Sequence, residues 1–241
     1  MFQAQQSLKQ DEQKKRLAQI IAKQGIVEAE RELAPYDSFV AIPLLIQLFK
    51  RENEQIHRRK LLIFGLAGTY LGLAVLCEIL KRELINFPFL VFILAVGEWR
   101  DRQKKKALQR IESLATLLAD RIKQAARSEL GALLELAPHA WENTTLQVPL
   151  RDRLAHLLAR TPTDELLVLT SEQRAGLQFA THKAIDETDY NNIFEPLAVA
   201  GLLALGSLKD KSLKKVADDV RTVHKCEQVR AATAEYLEAV R

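Results

Sequence analysis

The stretch Leu61-Leu-Ile-Phe-Gly-Leu-Ala-Gly-Thr-Tyr-Leu-Gly-Leu-Ala-Val-Leu-Cys77 carries no charged side chain, and its reading decides the fold. About 20 helical residues cross the ~30 Å hydrocarbon core of a bilayer. With Glu78-Ile79-Leu80 behind it, this run qualifies as a membrane span. Gly65, Gly68 and Gly72 stand at three- and four-residue spacing on one helical face. Small residues so placed let a second helix approach closely. The next apolar run, Leu84 to Gly97, follows the charged turn Lys81-Arg82-Glu83 and is interrupted only by Asn86. It is short for a span, and Pro88 near its start suits a first helical turn. Together the two runs predict a helical hairpin in a membrane.

The flanks support that expectation. His57-Arg58-Arg59-Lys60 precedes the hairpin; Trp99, Arg100, Arg102, Lys104, Lys105 and Lys106 follow it. Tryptophan favours the membrane–water interface, and basic residues on both outer ends place both termini in the cytoplasm, in an inner or plasma membrane. Lys81 and Arg82 argue weakly the other way. Beside a membrane exit, Arg58, Arg59, Lys60 and Lys104–Lys106 are expected to meet anionic lipid, with no nucleic acid as partner. Two alternatives stay open. Both runs can be central helices of a large soluble core, or the second can lie in the interface or re-enter from it.

Outward from the hairpin, composition points to helices. The 241-residue chain has only nine Gly and seven Pro, while Ala, Leu, Glu, Gln, Lys and Arg, all good helix formers, dominate. Such a length buries a substantial core without metal or disulfide. Cys77 and Cys226 belong to no Cys-rich or Cys/His-spaced motif, which argues for a reducing location. Residues 1–34 are polar and lack the apolar core of an export signal. Residues 4 to 33 predict a helix through Leu17, Ile20, Ile21, Ile26 and Val27. After Pro35, Asp37 or Ser38 can cap the apolar run from Phe39 to Phe49. That run is expected to pack, bent or restarted at Pro43; the alternative is an interfacial helix with Lys50 and Arg51 on lipid head groups.

Beyond the basic cluster, Leu108, Ile111, Leu114, Leu117, Leu118 and Ile122 follow three- and four-residue steps, predicting an amphipathic helix over 102–126. A shorter helix starts at Ser128-Glu129 and ends at Pro138, followed by a loop through Trp141, Asn143, Thr144 and Thr145. Six further helices are expected: Leu150 to Arg160 with Pro149 at its first position, Asp164 to Leu169, Ser171 to Ile185, Phe194 to Gly206, Ser212 to Val223, and Glu227 to Val240. Thr170-x-x-Gln173 reads as a capping box, Gly206 as a left-handed cap, Lys209-Asp210-Lys211 as a tight turn and Ser212 as the next cap. The expected divisions are 1–56, 57–106 and 107–241.

Within the last division, Glu195-Pro-Leu-Ala-Val-Ala-Gly-Leu-Leu-Ala-Leu-Gly-Ser-Leu-Lys-Asp-Lys-Ser-Leu-Lys-Lys-Val-Ala-Asp-Asp-Val, followed by Val229-Arg-Ala-Ala-Thr-Ala-Glu-Tyr-Leu, resembles HEAT repeats. The resemblance covers about residues 148 to 241. In that family an Ala/Leu-rich helix ends in Leu-Gly, a short acidic turn leads to a second helix, and the next unit opens with Val-Arg-x-Ala. It implies an α-solenoid array, with Gly206, Asp210 and Arg230 at repeat-structural positions, and binding to a protein partner. The polar stretch Asp186 to Asn192 departs from the pattern as an insertion, and helices 107 to 137 can cap one end.

Signals for chemistry are weak. The five histidines form no HExxH or paired metal spacing, and no nucleotide-binding or nucleophile-elbow motif occurs. The acidic runs Asp186-Glu187-Thr188-Asp189 and Asp218-Asp219 read as solvated or capping. Glu78 and Glu98 stand at the membrane edges, where each can pair with Lys81 or Arg102. The expectation is therefore an all-α, membrane-anchored interaction or scaffold protein. It is no enzyme, has no cofactor or metal, and its hairpin can also support helix–helix oligomers. The competing reading is an accessory or regulatory subunit of a membrane transport complex.

Overall fold

A computed structural model describes residues 41–54 and 87–241, together with single positions at 19 and 31. Every regular element among the described residues is helical. Residues 41–54 form α1; then come α2 (Phe87–Gln124), α3 (Leu130–Ala140), α4 (Thr144–Leu158), α5 (Thr163–Leu167), α6 (Ser171–Thr188), α7 (Glu195–Ser207), α8 (Lys214–Val223) and α9 (Glu227–Ala239). Single 3₁₀ turns lead into α3 and α7.

The helices stack in two layers. In one, α2 packs on α4, α4 on α7 and α7 on α9; in the other, α3 packs on α6. Pairs α3/α4, α6/α7 and α8/α9 join the layers. The α1 helix belongs to the same core, with Ile42, Leu45 and Phe49 essentially sealed from solvent. At its end Lys50 Nζ donates to Glu172 Oε1 at 3.2 Å and lies 3.9 Å from Glu135 Oε2, fixing α1 against α3 and α6. At residues 41–49, therefore, the apolar run is a packed helix.

Glycine sets the closeness of the crossings. A Cβ on Gly176 of α6 would stand 2.0 Å from the Leu134 carbonyl oxygen of α3, and one on Gly201 of α7 would meet the Thr181 side chain of α6 at 2.2 Å. Just past the end of α3, Trp141 packs edge-on against Phe179 in the middle of α6 and tilted on Phe194 at the start of α7, both at 6.0 Å. Its indole N–H donates to Glu187 Oε1 at 2.6 Å, leaving a large aromatic buried with its polar atom satisfied.

Several expected boundaries move. No helix among the described residues is long and apolar enough to cross a membrane. The run expected to end at Glu98-Trp99 continues without a break through Gly97 and the basic cluster into the amphipathic helix, as one 38-residue element. A single interior glycine costs a helix only about 1 kcal/mol, and the Glu, Arg, Gln, Lys and Ala that follow favour helix. Pro149 lies inside α4 instead of opening it. Asn143 Oδ1 accepts the amides of Thr145 and Leu146, both at 3.1 Å, starting the helix upstream and burying Leu146. Pro138 likewise sits within the last turn of α3. The capping box of Thr170 and Gln173 forms as expected. The first apolar run, with Gly65, Gly68 and Gly72, and the flank Arg58, Arg59, Lys60 lie outside the described residues, as does Glu78.

Candidate functional site

A concavity left by this stacking runs along the outward side of α7. It is an open groove of about 410 Å³ bounded by Leu158 of α4, Leu166 of α5 and Gln228 of α9, with Pro196, Val199 and Leu203 of α7 as its floor. Glu195, the first residue of α7, is its single charged lining group. Leu203 keeps 36% of its surface in solvent. The sequence Glu195-Pro-Leu-Ala-Val-Ala-Gly-Leu-Leu-Ala-Leu-Gly-Ser207 carries apolar residues all round the helix, and this is the signal that could have located the groove. One side packs on α4, α6 and α9, and what remains must face outward uncovered.

The residues marked by the HEAT resemblance serve the joints behind that groove. Gly206 is not the left-handed cap. It is buried inside α7, and the position with positive φ is Lys209, at 51°. The Lys209 amide donates to the Gly206 carbonyl at 2.9 Å and the Asp210 amide to that of Leu205 at 3.0 Å, the paired bonds of a Schellman cap. Asp210 then ties α6 and α9 to the turn that leads into α8. Its Oδ2 accepts from Gln178 of α6 at 2.8 Å, its Oδ1 from the Ser212 amide at 2.9 Å, and its carbonyl from the Tyr236 hydroxyl of α9 at 2.6 Å. Burial alone would raise the Asp210 carboxyl, but the Ser212 and Gln178 hydrogen bonds and the Arg174 charge outweigh it and hold the group below its ordinary value. Burial pushes the Tyr236 phenol up, with the Asp210 charge adding to it. Ser212 is not a helix cap: α8 begins at Lys214, with Leu213 before it. Arg230 donates to the carbonyls of His224 and Lys225, closing the turn between α8 and α9.

Two buried ionisable groups, His224 and Arg151, are engaged structurally. His224 is buried, accepting the Cys226 amide at Nδ1 (3.1 Å) and facing the Ile185 carbonyl with Nε2 (3.2 Å), so neither nitrogen is open to a substrate. Arg151 is buried in α4, with its guanidinium 5.1 Å from the Phe194 ring centre and bonded to Asp152 Oδ1 at 2.7 Å through Nε. Its Nη1 has no hydrogen-bond partner, and the Asp152 carboxylate together with the Phe194 ring face offsets the guanidinium charge. No grouping of three His, Cys, Asp or Glu with metal-site geometry occurs among the described residues. Asp218 and Asp219 are exposed on α8.

The basic cluster stands on α2, which contributes no residue to the groove. Arg102, Lys104, Lys105 and Lys106 are all exposed on α2, and Trp99 lies within the same helix. Glu98 pairs with Arg102 at 2.7 Å one turn along, both well exposed, an ordinary surface ion pair. The structure thus separates the expected site residues into a basic region on α2 and a set of joints around α7 to α9. No family model matches the chain, and neither the curated proteins nor the solved structures contain a match to it.

Proposed function

We propose that this chain is a membrane-anchored interaction module in which stacked, HEAT-like helix pairs present the α7 groove to a partner protein. The observation that carries it is the groove: an open, mainly apolar trough on a helix whose other sides are packed. Exposed apolar concavities of this kind are the surfaces on which proteins bury one another. The pairs α3/α4, α6/α7 and α8/α9, each stacked on the next, are the units of the array, and the Schellman turn at Lys209 and the Arg230 clamp are their joints. Anchoring rests on the apolar run Leu61 to Cys77 and its basic flanks.

Replacing Leu203 by Glu in the full chain puts a charge in the trough without touching the buried side of α7. The variant should keep its helical circular dichroism and membrane fraction while losing, by tenfold or more, the protein that co-purifies with the natural sequence. Unchanged co-purification would remove the groove from the function.

A further inference from the structure

The α7 groove has a definite shape. Its floor is the row Pro196, Val199, Ala200, Leu203 and Ser207, spaced at three or four residues and therefore one face of a helix. The row rises about 17 Å, close to three helical turns. On either side stand α4 and α9, both running in the same direction as α7. The end of α7 meets the end of α9, since a Cβ on Gly206 would lie 3.5 Å from that of Ala239. The approach to α9 is tied to the segment leading into α7, with His224 Nε2 3.4 Å from Asp189 Oδ1. On the other side Arg151, in the middle of α4, covers the Phe194 ring at the start of α7, and Leu158 reaches the groove further along.

A trough with helical walls and floor fits a helix. No strand occurs among the described residues, so an extended segment laid on this apolar floor would find no ladder for its own N–H and C=O groups. A helix satisfies those groups internally and touches all three walls at once. A second copy of this chain fits less well, because two troughs facing each other meet hollow to hollow.

Charge then sets the chemistry of the occupant. Glu195 lines the trough at the start of α7. Glu235 is exposed on α9, about two turns beyond the lining residue Gln228 and on the same side of that helix. Neither carboxylate has an ion-pair or hydrogen-bond partner among the described residues. A first-turn carboxylate also complements the helix dipole, a role that leaves the Glu195 oxygens open to a cation. On the opposite wall Arg160 is exposed between the lining residues Ala159 and Thr161. The trough is thus polarised across its width, negative along α7 and α9 and positive beside α4.

We propose that the partner element is a cationic amphipathic helix of about three turns, with its apolar face on Val199, Ala200 and Leu203 and its lysines or arginines on the flank facing Glu195 and Glu235. This rests on the protein-binding reading of the groove above. It adds the secondary structure and the charge of what binds.

The test is a selection of short random peptides displayed on phage against the full chain in detergent, followed by fluorescence anisotropy and circular dichroism of the recovered peptides. The expected sequences carry apolar residues at i, i+3, i+4 and i+7 with Lys or Arg along one flank, and become helical on binding. Their affinity should fall tenfold or more for L203E. For E195Q/E235Q it should fall about fivefold, and the natural chain should drop to the same value in high salt. Both variants should keep the circular dichroism of the natural chain. Peptides that depend on Leu203 but are acidic, uncharged or extended overturn the cationic helix and leave the groove reading intact. A dimer in light scattering that L203E dissociates gives the trough to a second copy and overturns the separate partner. Recovery of no Leu203-dependent peptide overturns the groove reading as well.

Discussion

Asp210 shows how one side chain can hold a joint of this molecule together. It sits between α7 and α8, yet its bonds reach Gln178 on α6 and, through its carbonyl, Tyr236 on α9. Hydrogen bonds to an ionised acceptor contribute roughly twice what neutral ones do, so the charge matters beyond the shape. Because the folded carboxyl is held below its ordinary value near 3.8, the unfolded chain takes up its proton first as pH falls. The stability it contributes is therefore complete above the unfolded value and is lost as pH descends through the folded one. Replacing Asp210 by Asn keeps one acceptor and removes the charge. The substitution should cost about 1 kcal/mol at pH 7 in urea unfolding followed by circular dichroism. The difference from the natural sequence should shrink below about pH 4; a pH-independent difference would mean that geometry, not charge, is what Asp210 supplies.

Between elements, two glycines separate packing from backbone conformation. Gly176 lets α6 lie against the backbone of α3, where an added methyl meets a carbonyl that cannot withdraw. Gly206 has nothing closer than 3.5 Å and occupies an ordinary helical position. Gly176→Ala should therefore destabilise by about 3 kcal/mol despite the better helix former. Gly206→Ala should stabilise by about 0.5–1 kcal/mol. Thermal melts of the two variants check the pair, and loss of stability in the second would restore a left-handed cap at residue 206. The contrast also shows what was legible beforehand. Helix existence, the capping box at Thr170 and the turn at Lys209–Lys211 follow from local chemistry and are where the sequence puts them. The starting point of α4 was not legible, because Asn143 is a strong cap only if Leu146 has a core to enter, and proline spacing alone points to residue 149. The left-handed position was missed because lysine takes it where glycine stands three residues away. The groove was half legible: the all-round apolar sequence of α7 points to the helix, but only the packing of α4, α6 and α9 reveals which of its sides is left uncovered.

At the scale of the whole molecule, the helix at 41–54 changes where the array begins. Basic and apolar sequence separates it from α3 by more than seventy residues, so nothing local indicates that it shares their core. Yet Ile42, Leu45 and Phe49 are buried there, and Lys50 is held by Glu135 and Glu172. Burying three large apolar side chains contributes roughly 5–9 kcal/mol, of the same order as the entire stability of a domain this size. The surface ion pairs add at most about 1 kcal/mol each. Hydrophobic burial thus dominates the docking of α1, and acidification or salt should loosen it little. A fragment of residues 107–241 lacks that cover over α3 and α6. It should retain helical circular dichroism but melt broadly and bind a hydrophobic dye, the behaviour of a core with secondary structure and poor packing. Adding a synthetic peptide of residues 39–54 in excess should sharpen the melt and displace the dye, since anything binding only the folded form stabilises it by mass action. A cooperative, dye-free melt of the fragment alone would show that α1 is an accessory to the array; recovery with the peptide makes it the array's first helix.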